Sequence, residues 1–422
     1  MLNKERIFQE LPPHVPRLAE APSPLQGMRV VDFTQFVSGP MATLILADLG
    51  AEVVKIESPT GGDSFRKYPP VDKQLPTQGA PFLWTNRNKR SVALDLKTPE
   101  GVAIARQMIA KADVVVENFS KGVMDRLGLG YEVCSKENSQ LVYCSISAYG
   151  RSGAFSERLG FDSIVMAESG FTSMNGYPDR NPVRSASAVI DISTGLMAGN
   201  TILAALLARQ KIGKGQWVEV SMIDSSMTMV GYAAMQTLCT WIERERCGNI
   251  NTEASPAGMF KAEDQLFVIN CGTTKMFQQL FIMFGRSDIA HNPELQLAVE
   301  RLKNREMLER VAQDHFSTRP WSEWKELFQE HGIPAGEVRT LSEGLTSQEI
   351  RERGLVSRIP HKTVGWLPNV ALPFRLSETP MVDPVAAPEL GEHSRQVLAE
   401  WLGLGDAELE KLETQGVLKG TS

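Results

Sequence analysis

The sequence predicts an α/β protein, with a doubly wound, mainly parallel sheet in a large domain and a smaller α+β domain beside it. Three observations carry this. Short apolar runs alternate with helical stretches through the first half of the chain, the alternation lapses between about 245 and 350, and a Pro-rich linker with two short helical patterns follows. Strands alternating with helices form parallel sheets covered on both faces, and their ligands collect at the carboxyl ends of the strands.

The first unit is GMRVVDFTQFVSGPMATLILADLGAEVVKIE, positions 27 to 57. Met28 to Phe33 is a strand, Ser38-Gly39-Pro40 starts a helix with proline in its first turn, Gly50 ends it, and Glu52 to Glu57 is the next strand. SVALDL (91 to 96) is a further strand. Thr98-Pro99-Glu100-Gly101 then opens the helix VAIARQMIAKA, and DVVVENF (113 to 119) and LVYCSIS (141 to 147) add two more strands. The order is Rossmann-like. RSASAVID follows as an apolar run read as a buried strand that ends at Asp191, before the helix ISTGLMAGNTILAALLARQK; GKGQWVEVSMIDSSM is a turn, a strand and a helix. These segments place a large domain at 1–235. A small domain at 245–350 holds the strand pair AGMFKAEDQLFVINC, and 365–422 returns to the large domain.

A chain of 422 residues with 42% hydrophobic and 22% charged residues has ordinary globular composition and more length than one core usually covers. Its net charge of -6 argues against a general nucleic-acid binder, which needs a basic excess. No apolar stretch long enough to span a membrane is expected, and the charged, Pro-rich start is unlike a signal peptide, so the expected location is cytoplasmic. Five cysteines without a C-x-x-C pair suggest neither a disulfide frame nor a zinc site; they are expected to be mostly reduced and buried, and no metal is expected. The six histidines leave a gap from position 14 to 291, so chemistry in the first two thirds draws on no local histidine.

The turn FVSGPM lacks G-x-G-x-x-G, which argues against NAD or FAD and leaves Glu57 as the exposed end of a structural βαβ unit. NRNKR (86 to 90), with Lys97 beyond the next strand, offers phosphate donors or simply a solvated loop. Asn118 and Phe119 at a strand's carboxyl end suit a heterocycle or a pantetheine amide, or else a turn cap and a core residue. Asp191 has two compatible readings, a helix cap and a desolvated carboxylate acting as nucleophile or base. Asp162, in GFDSIVMAESG, is a second carboxylate for the same pocket or a turn former. A carboxylate nucleophile without histidine suits thioesters, because the thiolate leaves without a general acid.

The residues quoted, together with NKRSVALDLKTPEG, DRLGLGYE, GIPAGEV (332 to 338) and LGEHSRQVLAEWLG, resemble the family III CoA-transferases, the CaiB/BaiF group, over nearly the whole chain. The resemblance implies an interlocked homodimer, coenzyme A thioesters as substrates with no permanently bound cofactor, and Asp191 as the residue that forms aspartyl anhydride and aspartyl-CoA intermediates. It also places the CoA contacts on Lys97, Asn118, Phe119 and Arg126. The racemase branch of the family carries a histidine where this chain has Phe161, so racemisation of a 2-methylacyl-CoA is disfavoured; formyl-CoA transferase has a glutamine where this chain has Val37, so the resemblance does not imply oxalate specificity. The expected reaction is CoA transfer from an acyl-CoA, succinyl-CoA by preference, to a small carboxylic or dicarboxylic acid. Amides near Gly39 or Gly258 would offset oxyanion charge, and Arg184 would pair with a substrate carboxylate. The alternatives are a racemase or epimerase and a catalytically silent CoA-binding protein.

Overall fold

The computed structural model describes residues 11–18, 21–71 and 73–420. Its contacts divide into two compact units. The first takes the chain up to Phe171, Ser185–Trp241 and everything from Thr346; the second takes Thr172–Arg184 and Ile242–Leu345.

The first unit is built on strands β1 (Arg29–Asp32), β2 (Glu52–Glu57), β3 (Lys89–Leu94), β4 (Val114–Glu117), β5 (Val142–Ser147) and β6 (Trp217–Ser221). They run parallel in the order β3-β2-β1-β4-β5-β6, and the short C-terminal strand Leu418–Lys419 pairs antiparallel on the free edge of β3. Alternate residues feed two cores. Val30, Val53 and Val114 pack with Met41, Ile45 and Ile202 on one face, while Val31, Val54 and Val115 pack with Ile104, Met108 and Trp401 on the other. Strand order reverses between β1 and β4, so the carboxyl ends of these two strands flank the crevice where doubly wound sheets take ligands.

Two helices position what lies there. The Ser38–Asp48 helix follows β1 and is buried along its whole length. The Val189–Ile212 helix lies against it, and two glycines permit the approach: a Cβ on Gly195 would come within 2.7 Å of Met41 Cβ and of the Ser38 carbonyl oxygen, and one on Gly199 within 2.7 Å of Ile45.

Two expectations are corrected here. Residues 181–188 form no strand and are largely exposed; β5 already pairs with β4 and β6, so this Ser-rich run has no ladder partner, and it enters the helix directly at Val189. That same helix is 24 residues long and contains a stretch of mean hydropathy 1.5, enough to cross a membrane by length and composition, contrary to the expectation of no such stretch. Its apolarity has a use in the fold, since Ile190, Ala198, Ile202, Ala205 and Leu206 are buried.

The second unit has a three-stranded antiparallel sheet of Ala257–Lys261, Leu266–Asn270 and Ala335–Glu337, against an aromatic core that includes Phe267, Phe281, Phe316, Trp324 and Phe328.

Candidate active site

The loop after β1 is fixed from beneath by charges. Lys55 Nζ donates to the Thr34 carbonyl at 2.6 Å and pairs with Asp63 at 3.0 Å, while Lys89 pairs with Asp32 at 3.1 Å, all four side chains being fully buried. Burial opposes the Asp32 charge, but Lys89 and Lys55 outweigh it and hold its carboxyl down at about 2. Burial pushes the Lys89 ammonium down to about 8 even with Asp32 beside it. Above this layer, the Gln35 N–H donates to Asn118 Oδ1 at 2.9 Å and Asn118 Nδ2 donates back to the Gln35 carbonyl at 2.8 Å. Asp63 accepts from the Phe36 N–H at 3.2 Å, holding Phe36 at a left-handed φ of 65°. The loop therefore reaches Ser38 in one defined course.

Asp191 meets it there. It is the third residue of its helix, not the cap; Ala188 takes the cap position and offers no side-chain bond. Asp162 supplies what is missing, its Oδ2 accepting from the Ile190 N–H at 2.8 Å and the Asp191 N–H at 3.1 Å. Both sequence readings of Asp191 thus shift. The cap is Asp162, and the desolvation comes from packing around a helix start and not from the end of a strand. Burial, then the Asp162 charge, pushes the Asp191 carboxyl up to about 7, against the opposing hydrogen bond from the Ser38 hydroxyl. Ser38 and Gly39 head their own helix, where first-turn N–H groups have no intrahelical acceptor, and Pro40 has no N–H to offer.

The surroundings are apolar. Val37 is 5% exposed and shares a cluster with Phe65, Phe82, Phe36 and Ile192, the residue after Asp191. The Phe36 ring meets those of Phe65 and Phe161 edge-on, at centroid distances of 5.4 and 5.8 Å. At the strand ends a cavity of about 240 Å³ opens, lined by Thr34, Ser58, Lys97, Phe119 and Leu127 among others. Half-ionised near neutral pH, weakly hydrated and hydrogen-bonded by the Ser38 hydroxyl, Asp191 is equipped to attack an activated carbonyl.

The family model for CoA-transferase family III matches residues 25–394. The chain belongs to this family. It is 34% identical over 396 residues to the succinyl-CoA:glutarate CoA-transferase of Mus musculus, spanning 94% of this chain and 90% of that protein. It is also 34% identical over 339 residues to the acetyl-CoA:oxalate CoA-transferase of Acetobacter aceti, spanning 80% and 86%. A solved CaiB/BaiF family protein from Brucella suis superposes with a TM-score of 0.80 at 32% identity, covering 90% of this chain and all of that one.

In this family III CoA-transferase the residues expected to hold CoA fall into three environments. Lys97 and Phe119 line the same cavity. Asn118 spends both ends of its amide on Gln35. Arg126 is exposed on the Val123–Arg126 helical turn, whose Val123 reaches the cavity. Arg184 and Gly258 belong to the second unit.

Two of the sequence readings do not hold. Glu57 is buried and paired with Arg66 at 2.6 Å, not exposed. NRNKR is neither a solvated loop nor a phosphate cradle, since Arg87 pairs with Asp48 at 2.6 Å and Lys89 with Asp32. Ser38 and the Asp32–Lys89 and Lys55–Asp63 pairs were missed altogether. The signal was present: a lysine inside EVVKIE, in a strand covered on both faces, requires a buried partner.

Proposed function

We propose that this family III CoA-transferase moves CoA from an acyl-CoA, by preference succinyl-CoA, to a small carboxylic or dicarboxylic acid, with Asp191 as the covalent carrier. The observation that carries the reading is the Asp191 carboxyl itself, half-buried at a helix start, hydrogen-bonded by Ser38 and raised to about 7. Its carboxylate oxygen attacks the thioester carbonyl, the C–S bond breaks, and a mixed anhydride and CoA thiolate result. The thiolate attacks the aspartyl carbonyl of the anhydride, releasing the donor acid and leaving aspartyl-CoA. The acceptor carboxylate attacks that thioester, expelling thiolate again, and the thiolate takes the new acyl group and regenerates Asp191. N–H groups of Ser38 and Gly39 would receive the oxyanions, while Lys97 and Phe119 would hold the nucleotide end of CoA. Succinyl-CoA and a diacid acceptor follow the relatives that transfer CoA between succinate and glutarate, and the working form is proposed as an interlocked dimer, in keeping with a first unit assembled from both flanks of the chain.

Racemisation needs two proton carriers on opposite sides of the 2-carbon. Phe161, where the racemase branch has one, carries no proton, which supports transfer over racemisation. Mass spectrometry of the protein mixed with succinyl-CoA, with and without hydroxylamine, tests the proposal. A hydroxylamine-sensitive adduct on the Asp191 peptide, absent in Asp191→Ala, is expected; solvent deuterium entering a 2-methylacyl-CoA with no adduct would replace transferase by racemase.

A further inference from the structure

Asp162 is not used in the steps above, yet one of its carboxylate oxygens accepts from two backbone N–H groups at the start of the Asp191 helix. We infer that Asp162 is a positioning residue, which clamps the first turn of the Val189–Ile212 helix from the neighbouring Asp162–Glu168 helix and so fixes where the Asp191 carboxyl stands. The inference rests on the reading of Asp191 as nucleophile.

Three observations support it. The Asp191 helix has no side-chain cap of its own, and its Ile190 and Asp191 N–H groups converge on one Asp162 oxygen at 2.8 and 3.1 Å. An orphan N–H at a helix start needs an acceptor, and a carboxylate is the strongest that side chains provide. The clamp is braced by packing, since Val165 and Met166 of the Asp162 helix share a buried cluster with Ile190 and Met222. Finally, the clamp carries a charge. Among the described residues, Asp162 and Ser38 are the side chains that bear electrostatically on the Asp191 carboxyl, the first disfavouring its ionisation and the second favouring it. Asp162 thus holds the nucleophile's helix start through one oxygen, and its charge disfavours ionisation of Asp191.

Two variants separate the effects. Asp162→Asn keeps an acceptor oxygen for the two N–H groups and removes the charge; Asp162→Ala removes both. The readout that needs no turnover is esterification of the Asp191 peptide by a diazoacetamide, which labels protonated carboxyls, followed by peptide mass spectrometry across pH 5 to 9. The labelling midpoint is expected to fall by about one pH unit or more in both variants. At pH 8.5, where Asp191 is ionised in all three proteins, Asp162→Asn is expected to keep kcat for CoA transfer within about fivefold, and Asp162→Ala to lose about a hundredfold, the cost of a misplaced reacting group. An unmoved midpoint in Asp162→Asn, or equal kcat for the two variants, overturns the inference. If the wild-type protein transfers no CoA while the midpoint still moves, the transferase proposal fails and the hold of Asp162 over Asp191 stands.

Discussion

Asp191 shows what a nucleophilic carboxylate costs its own fold. Its folded pKa lies near 7 against an ordinary 3.8, so folding favours its protonated form. The penalty is absent below pH 3.8, grows as pH rises toward 7 and is constant above it. Asp191→Asn is therefore expected to raise the melting temperature most at pH 8, less at pH 5 and little near pH 4, by calorimetry at the three pH values; a gain independent of pH would contradict the assignment. Ser38→Ala removes the bond that favours ionisation, so the pH at which the adduct forms half-maximally should rise, opposite in sign to the shift expected for Asp162→Asn. Of this chemistry the sequence revealed the carboxylate and the lack of local histidine. It did not reveal Ser38 or the clamp, because both depend on which helix starts come together, and SGP and GFD look like ordinary helix openings.

At the scale of elements, the contact between the Ser38–Asp48 and Val189–Ile212 helices sets the site. Gly195→Ala would gain about 1 kcal/mol of helix propensity. Its methyl would nevertheless stand 2.7 Å from the Ser38 carbonyl, so the helices must separate. Net destabilisation of about 1–3 kcal/mol is expected by urea denaturation, with a slower Asp191 adduct, since Ser38 moves with the displaced helix. A stabilised variant would mean that the helices do not need this approach. The strands were legible to within a few residues because alternating Val and Ile in parallel strands admit little else. The run before Asp191 was misread because apolar character marks burial, and burial serves a helix start as well as a strand. NRNKR was misread because five polar residues in a row suggest solvent, whereas here Arg87 and Lys89 pair with the buried acids Asp48 and Asp32.

At the scale of the molecule, the first unit is closed by its latest segment. Ser394 Oγ accepts from the Ala93 N–H at 3.1 Å and donates to the Lys419 carbonyl at 2.6 Å, while Trp401, 2% exposed, bonds Glu52 at 2.9 Å and packs under β1 and β2. Trp401→Ala should cost about 3–5 kcal/mol although it lies far along the chain from the strands it covers, measurable as a lower urea midpoint; a loss below 1 kcal/mol would show that the segment is dispensable. The return of the chain to its first domain was readable from the helical patterns after the Pro-rich linker, but the antiparallel strand Leu418–Lys419 was not, being two residues long. Among the described residues, the edge of β3 has no strand partner until those two residues exist. During synthesis on the ribosome, the second unit can therefore complete its own sheet while the first, begun earlier, still waits with an open edge. The part of the protein that emerges first is the last to be finished, and a nascent chain stalled in the 350s would present a chaperone with an apolar sheet rather than an enzyme.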